Sequence, residues 1–201
     1  MPCCATAGWR PEQGQRVKRV LVIYQSEYGH TRVLAERLAC GAKKERGVTA
    51  TLVPVAEALD RLPELDAADA LVFGCPTYMG NVPAAFKAFM DGTSVAWQEQ
   101  RWRDKLAAGF TNSASPSGDK LATLQQLVLF AAQHGMLWVS LGLPPADPTR
   151  ATPASLNRLG GSLGALAQSE NGPPTESPPE GDRATAECLG QRVARLCLQR
   201  P

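Results

Sequence analysis

Three short apolar runs constrain this chain most. Val20-Leu-Val-Ile-Tyr24, Ala70-Leu-Val-Phe-Gly74 and the run from Leu106 to Thr111 lack the apolar–polar alternation of a strand with one wet face. Unbroken runs of this length fit strands buried on both faces, as in a parallel sheet. Helical spacing appears between them. From about Thr31 to Glu45, Leu34, Ala35, Leu38, Ala39 and Ala42 share one face, while Arg32, Glu36, Arg37, Lys43 and Lys44 lie largely elsewhere. Gly47 is a natural stop, and Val48 to Val55 reads as another strand. Val82 to Met90 reads as a helix, with Pro83 tolerated in its first turn. Lys120 to His134 is a further helix, Met136 to Leu141 a fifth strand, and Asp182 to Leu198 a last amphipathic helix. Strands alternating with helices predict βαβ units, and right-handed crossovers reduce the topology to a doubly wound α/β sheet.

With 201 residues the chain suits a single domain of this class. Residues 1–17 hold no sustained period and read as a flexible extension, leaving 18–199 as the folded domain. Within it, 142–181 is a Pro/Gly-rich loop, carrying eight of the 16 prolines between 144 and 179. So long a structureless stretch is usually functional or mobile. Lys and Arg number 21 against 19 Asp and Glu. Residues 1–19 account for +3 of the net +2, so the rest is close to neutral and shows no basic stripe for nucleic acid. No run approaches the ~20 apolar residues of a membrane helix, and no signal-peptide core is present near the start. The six cysteines form no C-x-x-C and only His30 and His134 are available beside them, which argues against a metal site. Reduced thiols in a cytoplasm are the expectation.

In an open α/β sheet, ligands bind beyond the carboxyl ends of the strands. Three loops fall there. Ser26-Glu-Tyr-Gly-His-Thr31 leaves a buried strand and enters a helix, whose first turn offers unpaired N–H groups and a positive dipole end to an anion. Ser26 and Thr31 add hydroxyl donors, and Gly29 permits close backbone approach. The same residues also fit an ordinary turn capped by Ser26 or Thr31. Pro76-Thr-Tyr-Met-Gly-Asn81 could present backbone amides to a planar heterocycle, with Tyr78 and Met79 as stacking surface; it also fits a tight turn with Tyr78 in a core. Thr111-Asn-Ser-Ala-Ser-Pro-Ser-Gly118 could wrap a ligand, or be a solvated linker.

These loops carry a resemblance. SEYGHT (Ser26–Thr31), FGCPTYMGNVPAAFKAFMD (Phe73–Asp91), HGM (His134–Met136) and RLGGSLGA (Arg158–Ala165) occur in the order seen in the WrbA-type NAD(P)H:quinone oxidoreductases of the flavodoxin-like superfamily. The chain resembles that family from about Arg19 to Ala194. The resemblance implies a five-stranded sheet in order 2-1-3-4-5 that binds FMN. Ser26, Glu27, Tyr28, Gly29, His30 and Thr31 would hold its phosphate side, with Tyr28 also at the nicotinamide contact. Pro76, Thr77, Tyr78, Met79, Gly80 and Asn81 would line the ring and ribityl chain. Thr111, Asn112, Ser113, Ala114, Ser115 and Ser117 would close the other edge. Trp97 would face the quinone, and His134 or Gln133, with Tyr78, would polarise the quinone oxygens. Hydride would pass from NAD(P)H to flavin N5 and on to the quinone. Family members are typically tetramers, so a homo-oligomer, dimer or tetramer, is implied, with the loop from Gly160 to Ala165 in its closure.

The sequence departs from the family in three places. Val55 to Ala68 is short where the family has a longer insertion. Ala114, Ser115 and Pro116 replace much of a glycine-rich third loop. Gln133 stands where a second histidine is common. Two other readings follow: a flavodoxin-type single-electron carrier, or a regulatory protein with a degenerate flavin site.

Overall fold

The strand Ala70–Pro76 is buried at every position, as a strand with helices on both faces must be. In the computed structural model, which describes residues 16–200, it is the third strand of a parallel sheet. In chain order the elements are β1 (Lys18–Tyr24), α1 (His30–Lys43), β2 (Val48–Pro54), α2 (Val55–Ala58), α3 (Leu62–Asp66), β3 (Ala70–Pro76), α4 (Ala84–Gly92), α5 (Ser94–Gln98), β4 (Leu106–Ser113), α6 (Lys120–Gln133), β5 (Leu137–Trp138), β6 (Ala165–Gln168) and α7 (Glu180–Leu198). The strand order is β2-β1-β3-β4-β5, all parallel, with β6 also paired to β4. The expected extension at 1–17 lies almost wholly outside the described residues.

The fifth strand differs from the expected continuous run Met136 to Leu141. β5 pairs only with the start of β4, Leu106 with Leu137 and Ala107 with Trp138. The chain then leaves the sheet and returns as β6, where Phe110 to Ser113 pair with Ala165 to Gln168. One strand position is thus filled by two separate pieces of chain. The Pro/Gly-rich stretch is therefore not structureless. Asn157 anchors it, its side-chain amide donating to the carbonyls of Leu143 (3.1 Å) and Gly161 (3.0 Å). The short α2, α3 and α5 were also not expected; at four or five residues they are too brief to show a period.

Each sheet face has its own core. On one side α1 and α7 bury Leu34, Leu38, Leu189 and Val193 against Val20, Val22 and Val72. On the other, α4 and α6 bury Phe86, Phe89, Leu124 and Phe130 against Ile23, Leu71 and Phe73. Each such side chain contributes roughly 1.5–3 kcal/mol. α1 and α7 pack backbone to backbone. A Cβ on Gly41 would lie 1.9 Å from the Glu187 carbonyl oxygen, and one on Gly190 would lie 2.0 Å from that of Leu38. Arg37 on α1 and Lys44 just past its end grip Glu187 beside this contact. Cys75, Cys188 and Cys197 are free, but Cys40, expected as a reduced thiol, is disulfide-bonded.

A methyl group cannot enter either helix contact without parting the helices. Gly41→Ala and Gly190→Ala should each cost about 2–3 kcal/mol in urea unfolding. Gly172→Ala, with open space around its Cβ position, should stay within about 0.5 kcal/mol of the parent.

Candidate functional site

The carboxyl ends of β1, β3, β4 and β6 open into a cavity of about 530 Å³, a volume typical of small-molecule and cofactor sites. Four loops wall it.

The first follows β1. Ser26, Glu27, Tyr28, His30 and Thr31 line the cavity. Gly29 caps α1 with φ 89°, and its carbonyl takes the Val33 amide at 3.1 Å. No side chain caps the helix and no acid sits in its first turn, so its leading N–H groups and positive dipole end stay available. Gly29 is required here, since a Cβ would meet Pro174 Cγ at 2.8 Å. Ser26 Oγ is buried and finds no hydrogen-bond partner among the described residues. A buried hydroxyl without a partner costs about 1–3 kcal/mol, and an anion oxygen at this helix end would satisfy it.

The second loop follows β3. The Tyr78 amide donates to the Asn81 carbonyl (3.0 Å) and the Asn81 amide returns to Tyr78 (3.1 Å). Met79 (φ 48°) and Gly80 (φ 77°) sit at the tip, a turn with positive φ at both central residues. Pro76, Thr77 and Tyr78 line the cavity; Met79, Gly80 and Asn81 do not, and Met79 stands fully in solvent. Below them Thr77 Oγ1 meets Thr111 Oγ1 (2.9 Å) and Thr123 Oγ1 (2.8 Å), and Thr111 donates to the Cys75 carbonyl. Thr111 is therefore a support beneath the cavity rather than part of its lining. Burial, with Tyr28 and Glu27 nearby, raises the Tyr78 phenol above its ordinary range, so it remains a proton donor at neutral pH.

The third loop contributes Asn112, Ser113 and Ala114 to the lining, while Ser115 and Ser117 lie outside it. The fourth loop, Ser169 to Gly172, completes the wall. Ser169 Oγ donates to Asn112 Oδ1 (2.8 Å), and His30 Nε2 meets the Gly172 carbonyl at 2.8 Å. Sequence reasoning missed these four residues because they lie in the stretch read as a long loop. The only local signal was the short apolar run Ala165-Leu166-Ala167 just before them.

His134 is the main correction. It was expected at the ligand, but lies before β5, at the amino ends of the strands, and does not line the cavity. It is 1% exposed. Its ring stacks on Trp102 (4.4 Å between centroids) with Phe130 edge-on (4.8 Å). Thr93 Oγ1 donates to the Met90 carbonyl and so accepts from His134 Nε2 at 3.0 Å. Nδ1 is buried without a partner. Burial lowers its pKa to about 4. Its helix-end position matched the motif, but the apolar pocket beneath claims the ring. Trp97, on α5, is 49% exposed and also lies outside the cavity of its own chain.

Among the described residues the lining carries Glu27 and Glu170 and no Lys or Arg. Its donors are a helix end, hydroxyls and amides, beside the aromatic faces of Tyr28 and Tyr78. That set fits the phosphate and planar ring of FMN. An α/β sheet in this order with such a site defines a flavodoxin-like flavoprotein. Residues 57–144 match the family described as NADPH-dependent FMN reductase. The chain is 43% identical over 188 residues to flavodoxin FldP of Pseudomonas aeruginosa, spanning 91% of this chain and 98% of that protein. It is 35% identical over 200 residues to an NAD(P)H dehydrogenase (quinone) of Archaeoglobus fulgidus, spanning 89% and 96%. A crystal structure of a flavodoxin, WrbA-like protein from Agrobacterium tumefaciens superposes with TM-score 0.72 at 41% identity, covering 92% of this chain and 99% of that one. The chain belongs to the WrbA-type family of flavin-dependent NAD(P)H oxidoreductases.

The buried imidazole makes an acid-stability prediction. His134 takes a proton near its usual 6.5 when unfolded but only near 4 when folded. Between those values the unfolded chain binds more protons, so stability is full above 6.5 and falls as pH drops toward 4, by up to about 3 kcal/mol. Urea midpoints of the parent and His134→Gln at pH 7 and pH 4.5 test this. The parent should lose more stability on acidification than the variant.

Proposed function

We propose that this protein reduces quinones with two electrons taken from NAD(P)H, using FMN held in the cavity. The observation that carries the reading is the pairing of an anion-accepting helix end, with the partnerless Ser26 hydroxyl, and two tyrosines at the mouth of the same cavity. When bound, FMN supplies the hydride chemistry that links a nicotinamide to a quinone. Every other task falls to the chain. Ser26, Thr31 and the first amides of α1 bind the phosphate. Thr77, fixed by Thr111 and Thr123, orients the loop that faces the ring. Tyr78, kept protonated, donates to a quinone oxygen. Ser169 to Gly172 exclude water from the far side, tied down through Asn112 and His30. Trp97 is read as completing the pocket of a neighbouring subunit. His134 is given no chemical role, because its ring is closed off from the cavity.

A homo-oligomer, dimer or tetramer, forms part of the reading. It is supported by the exposed apolar side chains Val95, Trp97, Leu121, Leu129 and Leu137 and tested by light scattering. A cytoplasmic location is supported by the free thiols of Cys75, Cys188 and Cys197. Among the described residues, no helix is long and apolar enough to cross a membrane. The 43% identity to a protein named flavodoxin favours a second reading, a one-electron carrier.

Anaerobic titration of the FMN-loaded protein separates the two. The reductase should bleach fully on adding one equivalent of NAD(P)H and recover on adding benzoquinone. Bound flavin that ignores NAD(P)H would make the carrier reading correct. Ser26→Ala should raise the FMN dissociation constant about ten- to a hundredfold, the loss expected for one hydrogen bond to a charged group. An unchanged constant would remove Ser26 from the phosphate site.

A further inference from the structure

The third loop is one of the places where the chain departs from the family pattern, and the structure shows what holds it. Lys120, the first residue of α6, is 1% exposed. Its ammonium donates to the carbonyls of Ser115 (2.5 Å), Pro116 (3.0 Å) and Ser117 (3.3 Å). Consecutive carbonyls of the loop thus converge on one buried cation. In a planar trans peptide the N–H points opposite to the C=O. Turning the Pro116 and Ser117 carbonyls onto Lys120 therefore turns the Ser117 and Gly118 N–H groups away from it. Neither amide donates to another group among the described residues. Gly118 (φ 53°) closes the loop, since a Cβ there would meet Ser113 Oγ at 2.0 Å. Beyond it, the Asp119 Cβ lies 3.9 Å from the Cβ position of Gly80 on the second loop. The two ring-facing loops of the proposed site therefore meet where Lys120 anchors one of them.

Such a cation is costly to keep. Desolvation lowers the Lys120 pKa to about 8, with Asp182 on α7 opposing that shift and Arg158 adding to it. Asp182 is itself engaged. It takes Arg158 Nε and Nη2, both at 2.8 Å, and the Gln168 amide at 2.9 Å. A loop built of glycine could be shaped without this device. A loop of Ala114, Ser115 and Pro116 has fewer backbone options and one amide fewer.

We propose that Lys120 is a positioning residue for the flavin. By gathering the carbonyls of Ser115 to Ser117, it fixes the loop that carries Asn112, Ser113 and Ala114 and so sets that wall of the cavity. The proposal rests on the reading of the cavity as the FMN site. It makes flavin affinity depend on the charge of a side chain that never touches the cofactor.

The test is FMN binding by fluorescence quenching from pH 7 to 9 for the parent, Lys120→Met and Lys120→Arg. Hydrogen exchange of residues 113–118 is followed on the FMN-free full chain. The parent should bind about tenfold more weakly at pH 9 than at pH 7. Lys120→Met should match the weakened parent at every pH, and Lys120→Arg should flatten the pH dependence. Exchange in 113–118, corrected for its intrinsic pH dependence, should rise above pH 8 in the parent alone. Parent affinity that stays constant across this range would overturn the proposal, as would Lys120→Met binding like the parent at pH 7. If Lys120→Met does not fold, the parent's pH series still decides. A parent that binds no FMN at any pH would instead overturn the flavin reading. The exchange profile would still report whether Lys120 holds the loop.

Discussion

One edge of one strand governs the architecture of the site. The last half of β4, from Phe110 to Ser113, would present buried N–H and C=O groups without partners if β5 alone filled the position beside it. Buried backbone groups are almost always paired, and β6 supplies the pairing. Having done so, the chain emerges from β6 at the carboxyl end of the sheet and delivers Ser169 to Gly172 to the cavity wall. The return strand is held by Asp182, which accepts the Gln168 amide while bound to both nitrogens of Arg158. Removing that carboxylate would leave a half-buried guanidinium and a strand amide together, so a single side chain connects α7, the excursion from the sheet and the fourth wall of the site.

The electrostatic character of the cavity follows from backbone rather than side-chain charge. Among the described residues its lining contains carboxylates and no lysine or arginine, so a helix end and hydroxyl groups are what it offers to an anion. Donors of this kind are fixed in place and cost nothing to reorganise. Cationic side chains are used behind the walls instead, as at Lys120 and Arg158, where they shape backbone.

Much of this was legible in the sequence, for reasons that can be named. Unbroken runs such as Ala70 to Gly74 reveal a buried parallel strand because both faces must be apolar. The loops after β1 and β3 could be located because each leaves a buried strand for a helix at the carboxyl edge of the sheet, although their residues also fitted ordinary turns. β6 was hidden. It has four residues, sits among prolines and glycines, and owes its existence to the open edge of β4, a partner far away in the chain. His134 was misplaced for a different reason. The motif resemblance put it at the ligand, although the end of a helix that runs into a parallel strand lies at the amino edge of the sheet, where the ring packs against Trp102 and Phe130. Lys120 carried no local signal, since its acceptors are main-chain atoms that any sequence possesses.

The divided strand also orders events during synthesis. Phe110 and Ala165 are 55 positions apart, a wider separation than in any other strand pairing of the sheet. Contacts so distant in sequence bear a larger chain-closure entropy and tend to form late. A nascent chain that has emerged only as far as β5 can assemble the central strands, but its β4 edge remains open. Open edges of this kind template association with other chains. The segment that completes the cavity is therefore also the one that seals the sheet, so newly made protein acquires its ligand site and loses its most adhesive surface in the same step.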